Sequence, residues 1–214
     1  MGKSHAEEMN FWTKAEFEQF IVAVQDKPAS YTAFMTLYYT GMRVGELCAL
    51  TPADVDLEGH TITINKTFQR INGRDVIWPP KTPKSNRVVT IPQTLANCLK
   101  EYMDKCYEIQ PDDRLFPYTK SFLNHEMLRG CKKSGVKKIR VHDLRHSHAS
   151  LLIEMGCQPL LIADRLGHEK IQTTLNTYSH LYPNKQAEVA AQLENVMNGT
   201  TVPNGSQMAG VANL

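Results

Sequence analysis

The sequence Thr61-Ile62-Thr63-Ile64-Asn65 decides the fold class, because its polar and apolar residues alternate along the stretch. Alternation with a period of two is typical of a β-strand that buries one face. Two further strands are predicted at Val76-Ile77-Trp78 and Val88-Val89-Thr90-Ile91, and the tight-turn signal Asn72-Gly73 lies between the first two. These segments predict a small three-stranded antiparallel sheet.

Helical patterns flank this sheet on both sides. Upstream, Thr13 and Glu16 predict a capping box at the start of one helix, and Tyr31 to Tyr39 predicts a second, uniformly apolar helix. Downstream, we predict helices over residues 95–109, 121–134, 143–155, 160–166 and 173–181. The fold class is therefore predicted as α+β, mostly α-helical, with one small sheet.

Composition divides the chain into three parts. Residues 11–183 are predicted to form one domain, preceded by a flexible lead at residues 1–10. Residues 184–214 are predicted to be a tail, with an amphipathic helix at about 185–197 and a disordered end that is poor in apolar residues.

Length and cysteine usage exclude several classes of protein. No apolar run approaches the roughly 18 residues that a membrane span needs, and the N-terminus lacks the pattern of a signal peptide. The five cysteines are scattered and form no Cys-x-x-Cys pair. This pattern favours free thiols in a reducing cytoplasm over a disulfide framework or a zinc ribbon.

The net charge of +2 conceals two strongly basic segments. Residues 66–87 carry six basic side chains against Asp75 alone, and residues 129–145 carry seven against Asp143 alone. Such concentration predicts a surface that faces a polyanion, although a solvated charged face is the alternative. The predicted DNA contacts are Lys66, Arg70, Arg74, Lys84, Arg87, Lys137, Lys138 and Arg140.

Short motifs supply groups that suit a phosphodiester substrate. They are Thr40-Gly41-Met42-Arg43-Val44-Gly45-Glu46, Pro80-Lys81-Thr82, His142-Asp143-Leu144-Arg145-His146, Leu166-Gly167-His168 and Asn176-Thr177-Tyr178. Guanidinium groups bind non-bridging phosphate oxygens in a bidentate way that lysine cannot copy. A tyrosine hydroxyl is a nucleophile only when its proton is removed or its developing charge is stabilised. The set indicates an enzyme that transfers DNA strands covalently.

In this order the motifs resemble the catalytic domain of the tyrosine recombinases, the family of phage and conjugative-transposon integrases. The resemblance runs from about Phe11 to Pro183, and the tyrosine lies ten residues after His168, as in integrases of Gram-positive mobile elements. It implies a bacterial, cytoplasmic site-specific recombinase that integrates and excises a mobile element through a 3′-phosphotyrosine. That ester conserves the bond energy, so the resemblance implies no ATP, metal or other cofactor.

The resemblance also implies a role for each motif residue. Arg43 and Arg145 would clamp the scissile phosphate, and Tyr178 would attack it. His142 would accept or relay the tyrosine proton, and His168 would donate a hydrogen bond to a non-bridging oxygen.

The general acid on the departing 5′ oxygen is implied to be Lys81, with Lys84 and Arg87 as its rivals. Glu46 is expected to orient Arg43 or a histidine. The remaining histidines of the same predicted helix, His146 and His148, are interpreted as structural or supporting residues.

Three alternatives remain at this level. His142 and His146 have the i, i+4 spacing of metal ligands, but there is no His-Glu-x-x-His and no acidic cluster for two magnesium ions. A type IB topoisomerase would use the same chemistry to relax supercoils. A DNA-binding module without catalysis would require an incomplete set of groups, whereas this set is complete.

The expected partners follow from the resemblance. They are double-stranded DNA at specific recombination sites, further copies of the chain in a dimer or tetramer assembled through the tail, and an accessory directionality protein. Because the family usually carries an N-terminal core-binding domain, we also expect that this chain is a fragment or lacks that half.

Overall fold

The computed structural model describes residues 10–80, 82–183 and 186–198. Most of the predicted lead at residues 1–10, the predicted general acid Lys81, and the predicted disordered end beyond Asn198 lie outside the described residues. The chain divides into two compact units, Met1–Leu181 and Tyr182–Leu214.

The first unit is mostly helical with short strands in its middle third. Its α-helices are α1 (Lys14–Ala23), α2 (Pro28–Thr40), α3 (Val44–Leu47), α4 (Gln93–Met103), α5 (Lys120–Ser134), α6 (Leu144–Glu154), α7 (Pro159–Leu166) and α8 (Ile171–Tyr178). Its strands are β1 (Val55–Asp56), β2 (Thr61–Ile64), β3 (Thr67–Ile71), β4 (Arg74–Trp78) and β5 (Arg87–Thr90). Among its described residues, 3₁₀ turns span Pro52–Asp54, Pro83–Ser85, Val141–Asp143 and Ser179–Leu181.

Helix α2 is the centre of the core, because nine of its thirteen residues are buried. It packs against α4 and α6, while α1 packs against α5. The ring of Tyr38 on α2 stacks on Phe17 of α1 with centroids 3.6 Å apart. The predicted capping box is confirmed, since the Thr13 hydroxyl accepts from the Glu16 amide and the Glu16 carboxylate accepts from the Thr13 amide.

The predicted sheet has the right number of strands but the wrong members. The three-stranded antiparallel sheet has the order β1-β2-β5, and Ile62 of β2 lies opposite Val89 of β5. The predicted strand at 76–78 belongs to β4, which pairs instead with β3 in a separate two-stranded hairpin. The reason is local, because a two-residue turn pairs the two strands that flank it, here β3 and β4. Asn72 and Gly73 both adopt positive φ in this turn.

Two predicted helices are too long at their C-terminal ends. Helix α4 ends at Met103, six residues before the predicted end at residue 109, and turns follow it. Helix α8 ends at Tyr178, and the 3₁₀ turn Ser179–Leu181 completes the predicted span. Gly135 ends α5 in the left-handed conformation, as its position after the basic last turn predicts.

The second unit contains one described helix, α9 (Gln186–Met197), at the position of the predicted tail helix. Its apolar side chains Val189, Leu193, Val196 and Met197 are exposed. Among the described residues of the whole chain, the helices are all too short or too polar to cross a membrane.

Candidate active site

A cleft of about 760 Å³ brings together three of the six predicted catalytic groups. Arg43, His142 and His168 all line it, although they lie in three separate motifs. Basic and polar residues continue the lining: Lys66, Gln69, Thr82, Ser85, Lys120, Asn124 and Arg140. A cleft with this lining suits an anionic ligand.

Arg43 reaches the cleft from the start of α3. It is the N-cap of that helix, where its amide donates to Glu46 Oε2 over 2.8 Å. Its Nη1 donates to Glu46 Oε1 over 2.8 Å, yet 39% of its side chain stays exposed. These direct contacts therefore support the expected role of Glu46 in orienting Arg43.

Arg87, predicted as a DNA contact and as a rival general acid, is buried instead. Its side chain is 6% exposed, and it donates to both oxygens of Glu46 over 3.2 and 2.9 Å. Its Nε also donates to the Arg165 carbonyl, and its Nη1 also donates to the Ser85 carbonyl. Burial and these partners do not favour the predicted DNA contact, which stays a prediction.

Burial raises the pKa of Glu46, but the hydrogen bonds and charge of Arg87, together with Arg43, outweigh burial and hold this pKa below its ordinary value of 4.5. Glu46 is therefore ionised at neutral pH. A carboxylate with two arginine partners positions the guanidiniums more readily than it exchanges protons.

Arg145 joins two helix ends. Its Nη1 donates to the Gly41 carbonyl over 2.7 Å, and its Nη2 donates to the Leu166 carbonyl over 2.6 Å. These carbonyls lie at the C-terminal ends of α2 and α7, where backbone acceptors lack helical partners and the helix dipole is negative. Burial, followed by the charge of Arg43, lowers the pKa of Arg145 to about 9, so it remains a cation at neutral pH.

His168 enters the cleft because Gly167 turns the chain after α7. Gly167 has φ of 67° and packs against Arg87, which a side chain at this position would crowd. The His168 Nδ1 lies 2.7 Å from the Thr174 hydroxyl, a buried group on α8. Burial, followed by the charges of Arg145 and Arg43, lowers the pKa of His168 to about 4. The ring is therefore neutral at physiological pH.

His142 lies in the 3₁₀ turn before α6 and is exposed to the cleft. Desolvation of its ring, followed by the charge of Arg145, lowers its pKa below the ordinary value of 6.5. A neutral imidazole can accept a proton, which the predicted role requires.

Tyr178, the predicted nucleophile, is 1% exposed at the end of α8. Its hydroxyl lies 2.8 Å from Nδ1 of His146. Among the described residues, the hydrogen-bond partner of this hydroxyl is therefore His146 and not His142. Burial raises the pKa of Tyr178 to about 12, and the charge of Arg145 opposes that rise. Neither Tyr178 nor Arg145 is among the described residues that line the cleft.

His146 is predicted together with His148 as a structural or supporting residue, but it contacts the Tyr178 hydroxyl directly. The signal was its position one helical turn after His142 on the same face, and the two rings do meet edge-on with centroids 5.7 Å apart. His148 is structural: it is buried, and its Nε2 accepts from Arg165 Nε over 3.1 Å. Burial, followed by the charge of Arg165, lowers the pKa of His148 to about 3.

The remaining predicted DNA contacts have different surroundings. Lys66 lines the cleft while it pairs with Asp54, and Arg140 lines it while it binds the buried Asp143. Arg70 pairs with Asp75 on the hairpin, and Lys137 pairs with Glu16 at the start of α1. Arg74, Lys84 and Lys138 are exposed. Lys81 is outside the described residues, but its neighbours Pro80 and Thr82 both line the cleft.

Metal ligation receives no geometric support from the part of the chain that the structure describes. There, no three histidine, cysteine or carboxylate side chains cluster closely enough to hold a metal ion.

The fold is that of solved integrase and recombinase structures. It matches the Tn1549 transposon integrase in complex with circular intermediate DNA with a TM-score of 0.74 and 23% identity, over 89% of this chain and 68% of that one. It matches XerA recombinase with a TM-score of 0.66 and 24% identity, over 94% of this chain and 68% of that one.

Sequence comparison is more specific. The chain is 34% identical to the ICEBs1 integrase of Bacillus subtilis over 203 residues, which are 88% of this chain and 55% of that protein. It is 35% identical to the integrase of Staphylococcus phage L54a over 175 residues, which are 74% of this chain and 49% of that protein. The phage integrase family matches residues 10–185, and the chain belongs to this family. It spans about half the length of these two relatives.

Proposed function

We propose that this chain is the catalytic part of a bacterial, cytoplasmic site-specific recombinase that integrates and excises a mobile genetic element. The observation that carries the proposal is the cleft in which Arg43, His142 and His168 meet, while the charge of Arg145 acts on both His168 and Tyr178. Similarity to integrases of a conjugative element and of a phage supports the assignment to mobile elements.

In the proposed reaction the Tyr178 oxygen attacks the scissile phosphorus and forms a 3′-phosphotyrosine. The P–O5′ bond breaks, and the departing 5′ oxygen takes a proton from the general acid, for which we propose Lys81. The tyrosine proton passes to a neutral histidine, for which we propose His142. Attack by a second 5′ hydroxyl reverses the step and joins a new strand.

The arginines would lower the barrier by electrostatic stabilisation. Both are cations at neutral pH, and charge on the non-bridging oxygens grows in the transition state. Arg145 is held by two backbone carbonyls, so it is ordered before substrate arrives. Preorganised donors of this kind typically contribute about 10²–10³ in rate each.

The partners would be double-stranded DNA and further copies of the chain. Lys66, Lys120 and Arg140 give the cleft a basic lining that suits a phosphate backbone. The neighbouring Tn1549 integrase was solved in complex with DNA, which supports the proposal of a DNA partner. An accessory directionality protein is part of the same proposal.

The decisive test of the proposed function is Tyr178→Phe. We expect this variant to bind a recombination-site duplex normally but to form no covalent adduct on a nicked suicide substrate in a denaturing gel. Tyr182→Phe, at the next tyrosine along the chain, is the matched control and should form the adduct. An adduct in Tyr178→Phe would refute the nucleophile assignment, and relaxation of supercoils without strand exchange in the wild type would favour a topoisomerase.

Helix α9 is the proposed oligomerisation element. Val189, Leu193, Val196 and Met197 recur at helical spacing and are exposed, and a helix of twelve residues is marginal in water without packing. We infer that a neighbouring copy covers this apolar stripe in the assembly on DNA.

Leu193→Ser tests the tail, with Asn195→Ser as the control for a polar position on the same helix. The leucine variant should keep monomer stability but assemble less completely on DNA in native gels and change the yield of covalent adduct. Truncation after residue 184 should have the same effect. Unaltered assembly in both would mean that the tail has no role between copies.

A further inference from the structure

The Tyr178 hydroxyl is hydrogen-bonded to a histidine that has no role in the proposed reaction. It lies 2.8 Å from Nδ1 of His146, and the two rings are tilted by 58°. This separation is within the roughly 2.6–3.2 Å over which a general base reaches the proton that it removes. His146 directly follows Arg145 on α6, and Arg145 is one of the groups proposed to bind the phosphate. The contact therefore places a possible base on the proposed nucleophile.

Both groups are in the protonation state that a proton transfer requires. Burial raises the pKa of Tyr178 to about 12, although the charge of Arg145 opposes that rise, so the hydroxyl keeps its proton at neutral pH. Burial, followed by nearby His142, lowers the pKa of His146 below its ordinary value of 6.5. The hydroxyl therefore donates to an unprotonated Nδ1. Because a hydroxyl with a raised pKa is a weak nucleophile, its attack depends on a group that takes the proton.

The turn of α6 that carries His146 is fixed on both sides by contacts with distant segments. Arg145 donates to backbone carbonyls at the ends of α2 and α7. The buried Ser147 hydroxyl accepts from the Trp12 amide over 2.9 Å. This turn is therefore ordered before substrate arrives, and a base that is already in place saves the entropy of bringing it to the reacting atom.

We propose that His146 is a catalytic residue that accepts the Tyr178 proton at Nδ1 while the hydroxyl oxygen attacks the phosphorus. The inference rests on the proposed function of Tyr178 as the nucleophile. As the bond from the tyrosine oxygen to phosphorus forms, the O–H bond breaks and its proton converts His146 to an imidazolium. When a 5′ hydroxyl later attacks the phosphotyrosine, the imidazolium returns this proton to the departing tyrosine oxygen.

His142 is the other candidate for the tyrosine proton. The resemblance assigns the proton to His142, whereas the contact with the hydroxyl assigns it to His146. The two rings meet edge-on with centroids 5.7 Å apart, but His142 lines the cleft and so faces the phosphate side. Variants of both residues distinguish the two assignments.

His146→Asn removes the base without removing the hydrogen bond. The asparagine amide oxygen accepts a hydrogen bond but does not take a proton at neutral pH. With saturating protein on a nicked suicide substrate, the rate of adduct formation should fall about a hundredfold or more, because a general base typically contributes about 10²–10⁴ in rate. A rate near that of the wild type would overturn the proposal, since the hydrogen bond alone would then suffice. His146→Gln replaces this variant if it does not fold.

A more acidic nucleophile separates the loss of a base from a structural defect. Difluorotyrosine in place of Tyr178 has a hydroxyl of lower pKa, so it depends less on a base. It should restore most of the lost rate in His146→Asn, whereas a disturbed fold would not be restored. Arg43→Ala is the control, because a loss of phosphate binding should gain little from the same replacement.

His142→Asn completes the comparison. Its rate of adduct formation should not be restored by difluorotyrosine. Restoration in His142→Asn as strong as that in His146→Asn would overturn the assignment to His146, as would the absence of restoration in His146→Asn. Failure of the proposed function is distinguishable, because it would appear as an adduct in Tyr178→Phe.

Discussion

Arg87→Met removes one partner from the buried ion pair that supports the cleft. Arg87 and Glu46 are each 6% exposed in their side chains, and their closest atoms are 2.9 Å apart. Methionine has a similar length and no charge, so it fills most of the space while it deletes the guanidinium. The Glu46 carboxylate then keeps Arg43 as a partner, but that side chain is 39% exposed and screened by water.

The magnitude follows from burial. Removal of one partner from a buried pair typically costs about 3–5 kcal/mol, because the remaining charge is desolvated without compensation. Arg43 offsets part of that loss, so we expect the free energy of unfolding to fall by about 2–4 kcal/mol. Lys100→Met is the control, since the Lys100–Asp104 pair is exposed and should contribute at most about 0.5 kcal/mol.

Urea unfolding followed by circular dichroism measures both variants. The pH dependence provides a second signature, because the folded-state pKa of Glu46 lies below its unfolded value of 4.5. Its stabilisation is present above pH 4.5 and disappears as the pH falls through the lower folded-state value. Arg87→Met should be less stable than the wild type above this pH range, and the free energies of unfolding of the two proteins should converge below it.

The double variant Arg87→Met/Glu46→Leu completes the test. An apolar pair of similar volume often replaces a buried ion pair at little cost, so the double variant should be more stable than Arg87→Met alone. A loss below 1 kcal/mol in Arg87→Met, or a double variant that is less stable still, would refute the buried-pair argument.

Three further predictions follow from the site. A substrate with sulfur at the bridging 5′ position needs little protonation of its leaving group, so it should rescue cleavage by Lys81→Ala but not by Arg145→Ala; rescue of Lys84→Ala instead would remove Lys81 from the general-acid role. Cleavage in excess EDTA should be unchanged apart from ionic effects on binding, and a loss that zinc or magnesium restored would revive a metal role for the histidines. His148 has a pKa of about 3 in the folded state and 6.5 in the unfolded state, so its contribution to stability is complete above pH 6.5 and decreases as the pH falls to 3. In His148→Gln, the free energy of unfolding measured in urea should therefore depend less on pH over this range.

Features that depend on neighbours in the chain were predictable from the sequence. The capping box of Thr13 and Glu16 spans three residues, and the left-handed stop at Gly135 depends on the absence of a side chain. The set of groups proposed to bind phosphate could be selected from the sequence for a related reason. Its residue types and order carry the chemistry before any fold is known, and the structure brings Arg43, His142 and His168 into one cleft.

Strand pairing was only partly predictable. The alternating residues of β2 predicted a strand. The partner strand of β2 could not be predicted in the same way, because it depends on the path of the chain between the two strands. Asn72-Gly73 closes a hairpin of its own immediate neighbours, so β5 rather than β4 completes the sheet.

By itself the sequence determined the fold class, the helix boundaries near strong stop signals, and the residues proposed for the site. Only the tertiary structure decided what each polar group contacts. Arg87 meets Glu46 across 41 positions of sequence, and Tyr178 meets His146 across 32. The physical reason is that burial and hydrogen-bond partners arise from packing between distant segments: a basic side chain has the same sequence signature whether it faces DNA or neutralises a buried carboxylate.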